Sequence, residues 1–159
     1  MYTTLEEQLV NKLIAKGWRI SCAESCTGGQ LAARIVNVAN ASHVLDVSFV
    51  TYADHAKQKY LKVSPDTIAQ FHVVSEQVAS EMAKGVAAEA GSEIGVSTTG
   101  IAGPGGGTDE IPVGTVCFGF YINGNVTTKT MHFPNLSRNE VREQSTEYAF
   151  RHLLSLLEA

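Results

Sequence analysis

Residues 23–29 read AESCTGG. Seven positions hold an acid (Glu24), a hydroxyl (Ser25), a thiol (Cys26), a second hydroxyl (Thr27) and two glycines. Ser25 and Cys26 are both potential nucleophiles. They follow a short apolar stretch and precede a helical pattern, so they fall at a strand-to-helix junction. At such a junction the unpaired amides of Thr27, Gly28 and Gly29 can stabilise an oxyanion, and glycines leave room for a substrate. The same position suits a plain helix cap, with the Ser25 hydroxyl accepting a backbone N–H. Position alone leaves both readings of Ser25 open.

A serine nucleophile needs a base. Five histidines are present (His43, His55, His72, His132, His152), but none lies in a triad motif and G-x-S-x-G is absent. A lysine can serve when burial lowers its pKa. Lys57 is the candidate, in the first turns of the helix that follows FVTY (49–52). Ends of neighbouring strands often converge on one cleft. Taken singly, Lys57 also fits a solvated surface group, and Tyr52 a core or rim aromatic. Cys26 at a helix start would be activated, yet no partner for it is evident, and it equally fits a small buried hydrophobe.

A second stretch, TTGIAGPGGGTDE (98–110), contains five glycines. Backbone amides without side chains can cradle a phosphate or carboxylate. Thr99, Gly100, Ala102 and Gly103 are the candidate substrate contacts here, with a plain long loop as the alternative. The stretch lacks the G-K-[ST] of a P-loop and the following helix of a dinucleotide fingerprint. Asp109 and Glu110 fit solvated loop acids. Arg138 and Arg142 stand four apart on the last helix, able to meet a phosphate or to pair with glutamates on the surface; Arg142 joins the candidate substrate contacts. Cys22, Cys26 and Cys117 offer no metal-binding spacing and are expected to be reduced thiols.

Helices are expected over 4–16, 28–38, 53–61, 64–71, 75–90 and 138–157. The first has a Thr4–Glu7 capping box and Gly17 as its stop, and the fourth has Ser64 as cap and Pro65 at its first position. A Ser137–Glu140 box opens the last. Strands are expected over 18–23, 44–52, 93–99, 113–121 and 126–133, the last two joined by a hairpin turn at 123–125. Early strands alternate with helices and late strands form a hairpin. That order predicts an α/β (α+β mixed) fold, a single mixed sheet flanked by helices, as one domain over 1–159.

The 159 residues are 44% hydrophobic and 18% charged, as in a globular protein, with a net charge of −4. The acidic balance argues against nucleic acid as the main partner. No apolar run approaches the ~20 residues of a membrane span, and the opening residues lack a signal-peptide pattern. A cytoplasmic location is expected.

The motifs AESCTGG (23–29), FVTYADHAK (49–57), VSEQVASEMAKG (74–85), TGIAGPGGG (99–107) and PVGTVCFGF (112–120) together resemble the CinA C-terminal domain family. They come in family order across nearly the whole chain. The resemblance implies a nicotinamide-nucleotide amidase, converting nicotinamide mononucleotide and water to nicotinate mononucleotide and ammonia in pyridine-nucleotide recycling. It implies Ser25 as nucleophile, Lys57 as base and Tyr52 as their companion, without metal or cofactor. It also implies the stand-alone form of the domain and a homo-oligomer. A non-catalytic, competence- or damage-associated nucleotide-binding protein is the alternative. His72-Val73-Val74-Ser75 departs from the family's usual H-G-A-V-S, away from the expected nucleophile and base.

Overall fold

The structure is a computed structural model and describes residues 3–158. Helix α1 (Leu5–Lys16) opens with the expected reciprocal box between Thr4 and Glu7 and closes on Gly17. Strand β1 (Ile20–Glu24) leads to α2 (Gln30–Val36), and β2 (Phe49–Val50) leads to α3 (Asp54–Leu61). Then come α4 (Pro65–Phe71), capped by Ser64, and α5 (Glu76–Ala90), capped by Ser75. Strands β3 (Ile94–Gly100), β4 (Thr115–Ile122) and β5 (Asn125–His132) precede α6 (Arg138–Glu158).

The strands form one sheet in the order β2-β1-β3-β4-β5. Pairing is parallel from β2 through β1 to β3 and antiparallel from β3 through β4 to β5. This is the expected single mixed sheet with helices on it. The β4–β5 hairpin turns at Asn123 and Gly124, both at positive φ as a tight two-residue turn requires.

Alternation along the strands splits the core in two. Ile20, Cys22, Ile94, Val96, Phe118 and Phe120 face α1, α2 and α6, where Leu9, Leu13, Ile35, Phe150 and Leu153 pack on them. The other face carries small residues. Gly95, Ser97 and Gly119 let α5 lie close, and an added Cβ at Gly95 or Gly119 would run into the carbonyl oxygens of Ala83 or Ala79. The Ser97 hydroxyl donates to Ala79 O at 2.6 Å, tying β3 to α5.

Two expected elements change. Of the strand expected over 44–52, only Phe49–Val50 pairs as a strand. Residues Ala41–His43 form a 3-10 turn, and Leu45 makes one isolated bridge to Ile20. Arg19 holds this segment by donating to the carbonyls of Ser42 and His43 and to the Asp46 carboxylate. Val44 is thus buried by a turn, which its β-branched side chain does not reveal. The helix expected from Gly28 begins at Gln30, because Gly28 and Gly29 sit at φ +60° and +106° in a left-handed turn that a helix cannot include.

Candidate active site

The parallel strands β1, β2 and β3 end at the same edge of the sheet, and the site forms there. The chain leaves β1 at Ser25, whose amide donates to Thr98 O at 3.1 Å, extending the pairing with β3 by one residue. On the other side, Thr51 N donates to Glu24 O at 2.9 Å. The chain then turns into α3, and Lys57 in its first turns reaches back toward the sheet.

Lys57 is 1% exposed. Its Nζ lies 2.7 Å from Thr51 O, 3.3 Å from Tyr52 O and 3.0 Å from Ser25 Oγ. Burial lowers its pKa from the ordinary lysine value, a shift that the Asp54 carboxylate partly opposes. A neutral amine has two N–H donors and one lone pair. The three contacts suit the ammonium, with three donors, and equally the neutral amine, with two donors for the carbonyls and a lone pair for the Ser25 hydroxyl proton.

Ser25 faces a cavity of about 270 Å³. Thr99, Gly100, Ala102 and Gly103 line the wall opposite, with Val73 and Val74 beside them. The Thr99 hydroxyl donates to Val73 O at 2.9 Å and so fixes that wall. Cys26 also lines the cavity, but burial pushes its thiol up to about 11, so it stays protonated near neutrality. Among the described residues no group of three His, Cys, Asp or Glu side chains is placed to hold a metal ion.

Four expected contacts are placed differently. Gly28 N donates to Ser25 O at 3.1 Å, and Gly29 N to Glu24 Oε1 at 3.1 Å, so neither amide is free for an oxyanion. Thr27 is fully buried, outside the cavity lining, with its hydroxyl on Glu24. Among the described residues the amides of Cys26 and Thr27 have no acceptor, and Cys26 is the one at the cavity. Arg142 does not line the cavity either. It donates to Cys26 O at 2.9 Å and Thr27 O at 3.2 Å, bracing the turn from behind.

The cavity arginine is Arg138. It donates to Gly103 O at 2.8 Å and to the Tyr52 hydroxyl at 2.9 Å. A sequence signal for it exists: a cation in the first turn of a helix opposes the helix dipole. Tyr52 is 61% exposed, and its hydroxyl bonds Arg138 rather than Ser25 or Lys57. The tyrosine is a rim residue, and Lys57 touches Ser25 directly. Glu24, singled out in the sequence without a role, is the true cap of α2. Its carboxylate accepts from the amides of Gly29, Leu31 and Ala32. Ser25 caps nothing.

A model of the CinA C-terminal domain matches residues 2–157. The chain belongs to the CinA C-terminal domain family. A CinA-like protein of Kosmotoga olearia is 47% identical over 92% of the chain. The chain spans 35% of that relative's length. Among solved structures, the competence damage-inducible protein A of Klebsiella pneumoniae subsp. pneumoniae superposes with a TM-score of 0.93 at 39% identity, over 97% of this chain and 95% of that one. The competence/damage inducible protein CihA of Agrobacterium tumefaciens gives a TM-score of 0.89 at 37% identity, over 98% of each chain. The CinA family fold therefore extends over the elements that build the cavity.

Proposed function

We propose that this CinA-family domain is a serine–lysine amidohydrolase that converts nicotinamide mononucleotide and water to nicotinate mononucleotide and ammonia. The observation that carries this reading is the buried Lys57 Nζ, 3.0 Å from Ser25 Oγ and satisfied by two backbone carbonyls. A lysine serving only the fold would keep its charge in water or against a carboxylate. The choice of substrate within the amides rests on the family resemblance.

In the reaction the Ser25 proton passes to the Lys57 lone pair as Oγ attacks the carboxamide carbon. The Cys26 amide, next to the nucleophile and without an acceptor among the described residues, donates to the oxyanion. Lys57 then returns the proton to the leaving nitrogen, and ammonia departs. Water attacks the acyl-serine, gives its proton to Lys57, and Ser25 recovers it as the carboxylate product leaves. Arg138 is the cation for the substrate's phosphate, with the 99–106 loop beside it.

Ammonia release from nicotinamide mononucleotide tests the reading. Ser25→Ala and Lys57→Met are each expected to reduce turnover by at least about a thousand-fold, with the circular dichroism spectrum unchanged. Near wild-type turnover in either variant rejects the dyad. Nucleotide binding by the wild type without ammonia release would favour a non-catalytic role.

A further inference from the structure

The acid that precedes the nucleophile has no step in the reaction above, yet it is completely buried. Its Oε1 accepts from the Thr27 hydroxyl at 2.6 Å, Gly29 N at 3.1 Å and Leu31 N at 3.0 Å; its Oε2 accepts from Ala32 N at 3.1 Å. A carboxylate is acceptor-only, and here both oxygens are used. The network continues toward the nucleophile. Thr27 Oγ1 lies 2.9 Å from Thr98 Oγ1, which accepts from Ser25 N at 3.3 Å.

The main chain of the same residue reaches the base. Glu24 O accepts from Thr51 N, and Thr51 O accepts from Lys57 Nζ at 2.7 Å. One residue therefore fixes the turn that presents Ser25 through its side chain, and the segment that anchors Lys57 through its carbonyl. Its side chain also accounts for the glycines. Gly29 must turn its amide inward to the carboxylate at φ +106°, a conformation that side chains rarely adopt.

We infer that Glu24 is a positioning residue of the serine–lysine pair: its carboxylate sets the 25–29 turn so that Ser25 Oγ stays in reach of Lys57. The inference rests on the amidase reading for its rate measurement but not for its second readout. Glutamine keeps the shape and one acceptor oxygen. Its amide nitrogen then faces the N–H of Ala32, or of Gly29 and Leu31, donor against donor. The turn must shift, and a displacement near 1 Å costs about a hundred-fold in rate.

The test uses Glu24→Gln and Thr27→Val in the full chain, below each variant's melting temperature. Two quantities are read: kcat and KM for nicotinamide mononucleotide, and the rate of Ser25 labelling by a small fluorophosphonate, located by mass spectrometry. Glu24→Gln is expected to lower kcat and labelling together by about 10- to 100-fold, with KM within about twofold of the wild type. Thr27→Val, which removes one of the four bonds, is expected to give a smaller fall in the same two quantities. Thr4→Ala, which breaks a cap remote from the site, controls for destabilisation and should leave both unchanged per folded molecule. Wild-type labelling in both variants overturns the inference, as does a Thr4→Ala loss equal to theirs. Should Glu24→Gln fail to fold, Thr27→Val decides alone. A wild type that labels at Ser25 but releases no ammonia refutes the substrate, and the labelling series still decides Glu24. Absence of labelling in the wild type overturns both.

Discussion

Lys57 is the residue on which the proposed chemistry turns, and its burial sets the expected pH dependence. Burial favours the neutral amine, so its pKa lies below the usual 10.5. The base must be neutral to accept the Ser25 proton. Thus kcat/KM is expected to rise with pH and level off, with a midpoint below 10.5. A rate that falls across this limb would contradict the assignment. The linked effect on stability has the same origin. Between the folded midpoint and 10.5 the unfolded chain binds more protons, so wild-type stability rises with pH in that window. Relative to Lys57→Met, the wild type gains ground across the window and holds a constant offset below it. Urea titrations at a series of pH values measure the difference.

Two arginines one helical turn apart do separate work. Arg138 faces the cavity, and Arg142 holds the carbonyls of Cys26 and Thr27. Arg138→Ala is expected to raise KM for the nucleotide by about tenfold or more, the worth of a charge-assisted contact, and to leave the KM for nicotinamide riboside unaltered. Arg142→Ala is expected to lower kcat and stability instead, because the nucleophile turn loses its brace. Steady-state kinetics on both substrates separate the two. Equal KM effects in the two variants would refute this division.

Among the elements, α5 lies in close contact with the sheet face beneath it. Gly95 and Gly119 leave no space for a side chain under α5. Gly119→Val is expected to destabilise the fold by about 2 kcal/mol or more through overpacking, measurable as a lower urea midpoint. A variant as stable as the wild type would show that α5 can lift off the sheet. Elements governed by neighbours in sequence were legible before the structure. The Thr4–Glu7 box, Ser64 with Pro65 and the Ser137–Glu140 box are found as read, and the hairpin expected at 123–125 turns at Asn123 and Gly124 with Asn125 already in β5. The stretch 44–52 was not legible as it is. Arg19, more than twenty residues upstream, binds the carbonyls of Ser42 and His43 just before it and the Asp46 carboxylate within it, holding the chain in a turn there.

The cavity is assembled from five stretches: 25–26, 52–57, 73–74, 99–106 and Arg138. Parallel pairing of β1 with β2 and β3 brings 25–26, 52–57 and 99–106 to one sheet edge, the Thr99 hydroxyl ties 73–74 to it, and α6 brings Arg138. The sequence by itself determined the caps of α1, α4 and α6, the hairpin, the glycine-rich loop and the strand-to-helix turn that carries Ser25. Each depends on residues a few positions apart, where backbone geometry and spacing suffice. Tertiary packing settled the burial of Lys57, the choice of Arg138 over Arg142, the rim place of Tyr52, and Glu24 rather than Ser25 as the cap of α2. Those outcomes turn on desolvation and on hydrogen bonds between segments remote in the chain. Thus Ser25 and Lys57 are 32 positions apart, while Cys26 and Arg142 are 116 apart. No local pattern encodes which donor meets which acceptor across such spans.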